Sequence, residues 1–541
     1  MQLTVGVVTM MFYIPQQYFQ PILSFLLGTV ILTPISTARA VNNPELAVGI
    51  VQRFGNPKLT QLTLAATSGD RLTVRFKGES GDLSFQVPTI QLTTRLQNLS
   101  SPQIVERVVL SSHRSFESAE ASATAWQSRG ILTDVGQPGN WEVWADRETY
   151  HTPLLRRLLI GSFPSTQTSM PTLKTEVIHQ IPQITWTLNG QDYSQPQLSI
   201  TSQKKLIQVR SVSDGRPDRW YAGEMRLQPN AYGTFTLVNQ VPIETYLRGV
   251  VPHEIGPGAP QSAVETQAIL ARTYALRNLR RFAIDQYQLC ADTQCQVYWG
   301  LNDNNNRVNR AIASTNGLVL TYNNQLIDAV YSSTTGGITA PFHDVWNGEE
   351  RPYLKAIVDS VNNVWDLSKR SLANANNFRA FIEKRQGFNE VGWRTFRWQI
   401  SVNLSKLNSD LRKYLQSKQS PLSKFRSIQR LTVADRSPSG RVLKLEVITD
   451  IGSMELIKDE ILRAFEPPRS TLFYLDPIYG TGGLNGYSFV GGGLGHGVGL
   501  SQTGSYRLAD LGWTPSRILN FYYPGTTLQP LNSSLMNWNN N

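Results

Sequence analysis

The chain of 541 residues predicts an α+β fold, and three observations carry that expectation. Short β-rich runs (LAVGIVQRF, LTQLTLAA, RLTVRF, LSFQV) follow one another between residues 46 and 87, separated by Gly, Asn, Asp and Ser. One long helix is written into QSAVETQAILARTYALRNL, where Val264, Ala268, Ala271, Ala275 and Leu279 fall on a single stripe. Strands and helices do not alternate regularly along the rest of the chain. Three stripe residues are alanine, so a neighbouring element can approach that helix closely. Hydrophobic residues make up 40% and charged residues 17%, which is ample material for the cores of more than one domain.

In chain order, the first forty residues carry Arg39 as their only charge. The apolar run PILSFLLGTVILT and the small-residue site STARA predict an export signal at 1–40, cleaved after Ala40, although no basic residue precedes the run. Thirteen residues are short for a bilayer span, and no later apolar stretch reaches eighteen, so no stable membrane span is expected after signal removal. Residues 41–100 form the β-rich region. Residues 101–165 read strand, helix, strand, strand, helix: Val108–Leu110, then Phe116–Ser128 capped by Ser115 and stopped by Gly130, then two strands including WEVWA, then Tyr150–Leu159. A Ser-, Thr- and Pro-rich linker covers 161–172, and 180–240 is β again. Thr245–Val250 predicts a short helix ending at Pro252. Gly256-Pro257-Gly258 then breaks the chain before the long helix starts near Pro260. Residues 361–430 read as an insertion of polar helices. RLTVADRSPSGRVLKLEVITD is a hairpin turning at Ser437–Gly440, and 531–541 is a disordered tail.

The net charge of +11 favours an anionic partner. No run of five basic residues occurs, and the cluster Arg277, Arg280, Arg281 reads as a solvated face.

Few residues point to chemistry. Glu254 falls in the Pro- and Gly-bounded break between two helices. A carboxyl desolvated there would act as a general acid, and raising its pKa by two units costs about 2.7 kcal/mol. The residues alone favour a plainer role, a negative charge at the N-terminus of the next helix. His343 and Asp344 with Ser332 and Ser333 upstream do not make a hydrolase triad, because adjacent residues rarely face one another and no nucleophile elbow is present. Trp299, Trp346 and Trp513 read as core. GGGLGHGVGLSQTG (491–504) fits neither G-x-G-x-x-G nor a P-loop. Leu494, Val498 and Leu500 argue against a linker. A closely packed backbone remains, followed by a helix that Ser501 can cap.

Four stretches occur in one order: GVVPHEIGPGAPQSAVETQAILARTYAL, CQVYWG, YSSTTGGITAPFHDVWNGEERPYLKAI and GHGVGLSQTGSYRLADLGW. Together they resemble the SpoIID/LytB family over roughly residues 200–525, which implies a SpoIID-like domain over 175–530 interrupted near 361–430. Residues 101–165 resemble a SPOR-type glycan-binding domain. The family resemblance implies an exported protein of the periplasm or cell wall that acts on peptidoglycan glycan strands. It implies a lytic transglycosylase with Glu254 as general acid/base, or else a non-catalytic enhancer of an N-acetylmuramoyl-L-alanine amidase. Neither role involves nucleic acid. By position it assigns the groove to Arg272, Tyr274, Tyr331, Ser332, Ser333, Gly336, Gly337, His496, Gly497, Ser501 and Gln502. Some members hold zinc near CQVYWG. Here Cys290 and Cys295 lack a neighbouring histidine, so a disulfide worth roughly 2 kcal/mol is expected and no cofactor or metal.

Overall fold

The computed structural model describes residues 43–537 apart from 79–80, 164–169, 212–216 and 419, so the expected export signal and residues 538–541 lie outside the described residues. The N-terminal half is built from β1 (Glu45–Phe54), β2 (Gln61–Ala66), β3 (Leu72–Gly78), β4 (Gly81–Val87) and β5 (Thr89–His113). Then come α1 (Phe116–Gln127), β6 (Thr133–Gly136), β7 (Trp141–Ala145) and α2 (Pro153–Gly161). The last seven strands are β8 (Thr172–Leu188), β9 (Gln191–Ser194), β10 (Leu198–Ser202), β11 (Leu206–Ser211), β12 (Arg219–Ala222), β13 (Glu224–Pro229) and β14 (Phe235–Pro242). Period-two patterning explains them: in β3, Leu72, Val74 and Phe76 turn inward while Arg75 and Lys77 face out.

Two sheets share these strands. One runs β4-β3-β10-β13-β14-β1 and gains β15 (Leu289–Cys290) at its edge. The other runs β12-β11-β2-β5-β7-β6, with β8 along β5. The strands of 45–87 are therefore woven between those of 198–242 and do not form a layer of their own. β1 pairs antiparallel with β14 from Glu45↔Pro242 onward, and β14 feeds directly into the helix that carries Glu254.

That helix, α3 (Ile243–Ile255), corrects an expectation. It passes through Pro252 and ends at Gly256, whose φ is 81°. Pro252 lacks an N–H, yet buried Val250, Val251 and Ile255 hold the last turn against the core. Glu254 thus sits in the final helical turn, with a fixed direction. The long helix α4 (Gln261–Arg277) begins after Pro260 as expected. Its alanine stripe packs into the core shared with the two sheets, and Ile269, Leu270 and Tyr274 on its other side enter a second core.

The expected β-α-β-β-α order of 101–165 is present, and Ser115 caps α1 by accepting from the Ser118 N–H. The basic cluster at the end of α4 is not a solvated face. Arg281 pairs with Glu117 and Arg280 with Glu120, both on α1, and Arg277 with Asp328. Those ions fasten α1 to the end of α4.

Next come α5 (Asn306–Ser314), β16 (Leu318–Tyr322), β17 (Gln325–Leu326) and β18 (Tyr331–Ser332). They are followed by α6 (Ala375–Glu383), β19 (Trp398–Asn403), α7 (Leu404–Ser417), β20 (Ile428–Arg436), β21 (Val442–Thr449), β22 (Gly452–Ile457), α8 (Ile461–Ala464), β23 (Phe473–Gly480) and β24 (Gly483–Gly491). The expected hairpin is β20–β21. The polar helices do not stand alone: β19 pairs with β24, and Leu407, Leu411 and Leu415 of α7 share a core with β20–β24. The inserted unit therefore continues well past residue 430. The chain closes with β25 (Leu500–Ser501), α9 (Gln502–Asp510), α10 (Pro515–Tyr522), β26 (Thr527–Pro530) and α11 (Ser533–Asn537). Part of the expected tail, 531–541, is ordered: α11 forms within it, and Leu531 and Leu535 are buried.

Candidate functional site

The last turn of α3 is held from α9, nearly 250 residues away. A helix leaves its final carbonyls without intrahelical partners. Gln502 Nε2 donates to the Glu254 carbonyl at 2.9 Å, and the Tyr506 hydroxyl donates to the Ile255 carbonyl. Ser501 caps α9 by accepting from the Gly504 N–H and donates to Glu390 Oε1 at 2.5 Å. Glu390 is buried in the inserted unit and also accepts from the Thr335 and Gly337 N–H groups. Beside it, burial and the neighbouring Glu390 carboxyl push Asp359 well above the usual carboxylate range. Asp359 also accepts from the Tyr522 hydroxyl at 2.8 Å.

The Glu254 side chain opens into a cavity of about 1080 Å³. Tyr274, Cys295, Tyr331, Ser332, Trp346 and His496 line it from the core. Arg114, Ser115 and Glu117 close one part from the α1 module, and Lys406, Asp459 and Glu466–Arg469 close another from the inserted unit. Glu254 Oε1 accepts from the Val297 N–H at 2.7 Å, and its carboxyl is bonded by the Tyr331 hydroxyl. Among the described residues no cation pairs with it. Burial raises its pKa to about 7, against the lowering effect of the Val297 and Tyr331 donors. Asp459, across the cavity, is raised to about 6 by burial. Glu117 is tied to Arg281.

Residues 340–499 match the family model described as "Domain of unknown function (DUF8618)", and residues 231–322 match the model described as "Stage II sporulation protein". The chain is 31% identical over 300 residues to the amidase enhancer of Bacillus subtilis, covering 52% of this chain and 40% of that protein. It is 26% identical over 356 residues to the stage II sporulation protein D of Bacillus subtilis, covering 62% of this chain and 88% of that one. A stage II sporulation protein D of Bacillus amyloliquefaciens is 27% identical over 314 residues, covering 55% and 77%. The match to the stage II sporulation protein model and the likeness to these relatives support assignment to the SpoIID/LytB family. It spans two fifths of the length of the amidase enhancer it resembles.

The SpoIID motifs meet at this cavity, but not every residue they single out reaches it. Glu254, Tyr274, Tyr331, Ser332, Ser333 and His496 do. Ser332 Oγ is buried without a partner among the described residues. Arg272 does not: it is fully buried in a bidentate pair with Glu244, both bonds 2.7 Å, and donates to the Leu318 carbonyl. Gly336 and Gly337 form a buried turn against Gly492 and Phe388, where no side chain fits. Ser501 and Gln502 act behind the wall, on Glu390 and on the Glu254 carbonyl. Gly497 lies over the Arg441 guanidinium.

His496 does less chemistry than its position in the motif suggests. Its Nδ1 accepts from the Val498 N–H at 3.0 Å, and the ring lies on Trp346 and against the Tyr331 carbonyl. Burial and nearby Arg441 lower its pKa to about 4, so it is neutral at pH 7. The histidine steadies Tyr331, which in turn bonds Glu254. Trp346 is buried as expected, but Trp299 is exposed and packs beside His253 and Arg219. His343 and Asp344 do face one another, against the expectation for adjacent residues, with Nε2 3.5 Å from Oδ1. Asp344 also accepts from Ser439, and neither residue lines the cavity with Ser332 and Ser333, so the pair completes no triad there.

Alternation within GGGLGHGVG has a backbone cause. Gly493, Gly495, Gly497 and Gly499 all have positive φ, between 71° and 96°, while Leu494 and Val498 between them bridge to Thr334 and Ala340. At Gly497 a Cβ would also overlap Arg441. Gly497→Ala should therefore destabilise by more than 1 kcal/mol, read as a lowered Tm, whereas an alanine at exposed Gly139 should leave the Tm unchanged.

Cys290 and Cys295 form a disulfide. The loop it closes leads straight into Gln296 and Val297, which contact Tyr331 and Glu254. Replacing both cysteines by alanine should lower unfolding stability by roughly 2 kcal/mol in denaturant titration. Among the described residues no three His, Cys, Asp or Glu side chains gather in a way that could hold a metal ion. What the sequence did not reveal is the backbone N–H of Val297 and the two outer walls of the cavity. A main-chain donor leaves no residue-type signal, and the walls come from segments outside the four motifs.

Proposed function

We propose that this protein is an exported cell-wall protein that cleaves peptidoglycan glycan strands as a lytic transglycosylase. The observation that carries the reading is one half-buried carboxyl on a large cavity, held by the Val297 N–H and paired with no cation among the described residues. At pH 7 a substantial fraction of Glu254 holds its proton and can give it to the glycosidic oxygen as the C1–O bond breaks. Val297 N–H and the Tyr331 hydroxyl then stabilise the carboxylate that is left. That carboxylate takes the proton of the sugar's own C6 hydroxyl as its oxygen closes on C1, giving a 1,6-anhydro ring. The attacking group is already tethered to the reacting centre, so one carboxyl serves both steps and no second one is required to activate water.

Stripped strands expose a lactyl carboxylate on each muramic residue, an anionic polymer suited to a chain of net charge +11. A disulfide is the form cysteines take in an oxidising compartment, which agrees with export. No helix among the described residues is long and apolar enough to cross a membrane. The likeness to an amidase enhancer favours a second reading, in which the cavity binds strands and acts through a separate amidase. Purified protein incubated with denuded strands should release 1,6-anhydromuramic ends, detected by mass. Strand binding with no such product, where a known transglycosylase gives it, would establish the second reading.

A further inference from the structure

We propose that Gln296 is a positioning residue that orients the Tyr331 hydroxyl proton onto Glu254, as the middle link of a one-way hydrogen-bond chain starting at Tyr246. The proposal rests on the reading of Glu254 as the acid. The Tyr246 hydroxyl donates to Gln296 Oε1 at 3.3 Å, and Gln296 Nε2 donates to the Tyr331 hydroxyl oxygen at 2.9 Å. Tyr246 and Gln296 are fully buried, so water does not compete for these groups. An amide oxygen only accepts and an amide nitrogen only donates. Once the oxygen faces Tyr246, the nitrogen must face Tyr331. The Tyr331 oxygen then accepts from the amide, and its single proton goes to its other neighbour, the Glu254 carboxyl.

Gln296 lies between Cys295, closed into the disulfide, and Val297, whose N–H bonds the same carboxyl. One short segment thus aims two donors at one carboxyl group. The titratable groups facing Glu254 are Tyr246 from its own helix, Tyr274 from α4 and Tyr331 from β18. Burial raises all three, so they stay neutral and act on the acid as dipoles. Both donors stabilise the carboxylate and oppose the upward push of burial. The chain therefore sets how strong an acid Glu254 is.

With the amide flipped, Gln296 would accept the Tyr331 proton and draw it away from Glu254. The two arrangements predict opposite signs. Infrared difference titration, with Glu254→Gln as the reference, reads the Glu254 carboxyl in the intact chain without any turnover. Tyr331→Phe should raise the Glu254 pKa by about one unit. The near-isosteric Gln296→Met should raise it by a smaller amount, and the pH profile of strand cleavage should move alkaline in step. A fall, or no change, in Gln296→Met overturns the proposal. If Gln296→Met does not fold, Tyr246→Phe replaces it and must shift the carboxyl in the same upward direction. A wild-type protein that titrates as expected yet releases no anhydro ends would count against the transglycosylase reading and leave the chain standing.

Discussion

Glu254→Gln should lower the release of 1,6-anhydromuramic ends by about 10²–10⁴-fold, the usual contribution of a positioned acid, while strand binding is retained. Glutamine keeps the shape and can still accept from the Val297 N–H, but it has no proton to give. In the wild type, activity should fall as pH rises through about 7, because the protonated form is the one that starts the reaction. The same substitution should stabilise the fold. Glu254 has a folded pKa near 7 against an ordinary value of 4.5. Between those values the native state binds more protons than the unfolded chain, so stability falls as pH rises. The penalty is absent at pH 4 and complete above pH 7, where it amounts to up to about 3 kcal/mol. Denaturant unfolding of Glu254→Gln should therefore match the wild type at pH 4 and exceed it at pH 8. Equal stability at both pH values would mean that Glu254 titrates normally and is no general acid. If strand binding falls as far as product release, Glu254 is a structural residue.

Arg272→Ala should destabilise the protein by about 3–5 kcal/mol, the range seen when one partner of a buried ion pair is removed. Arg272 has no exposed surface, and its loss would leave the Glu244 carboxylate buried at the start of α3 facing only the Gly317 N–H. The Leu318 carbonyl would lose a donor as well. A neutral pair of similar volume, Arg272→Met with Glu244→Leu, should recover much of the loss. Neither Arg272 nor Glu244 lines the cavity, so strand affinity of the folded fraction at low temperature should stay unchanged. A selective loss of strand affinity with an unchanged Tm would return Arg272 to the groove.

These two residues show what kind of signal each sequence motif carries. Both stand in the stretch 244–281 and both belong to family motifs, yet one faces the cavity and the other ties α3 to α4. Residue type alone does not separate the roles, because a buried bidentate arginine and a ligand-binding arginine look alike in one dimension. Gly336, Gly337, Gly497, Ser501 and Gln502 follow the same rule. They stand next to the site in the motifs, and in the fold they build the wall behind it.

Much else was readable without coordinates. Short β-rich runs separated by Gly, Asn, Asp and Ser marked the strands, and the alanine stripe marked α4 as a core helix. Ser115 and Ser501 announced their caps, the Ser-Pro-Ser-Gly turn announced the β20–β21 hairpin, and the two cysteines announced their pairing. All of these are local facts, decided by groups within a turn or two of one another. The tertiary structure alone decided the rest. It carried α3 through Pro252, because packing of Val250, Val251 and Ile255 outweighs one missing hydrogen bond. It turned a basic cluster into the clasp for α1. It also placed Glu254 under Gln502 and beside Val297 and Tyr331. A carboxyl becomes an acid near neutrality through desolvation and a few aimed donors, and those are supplied by groups that no sequence spacing brings together.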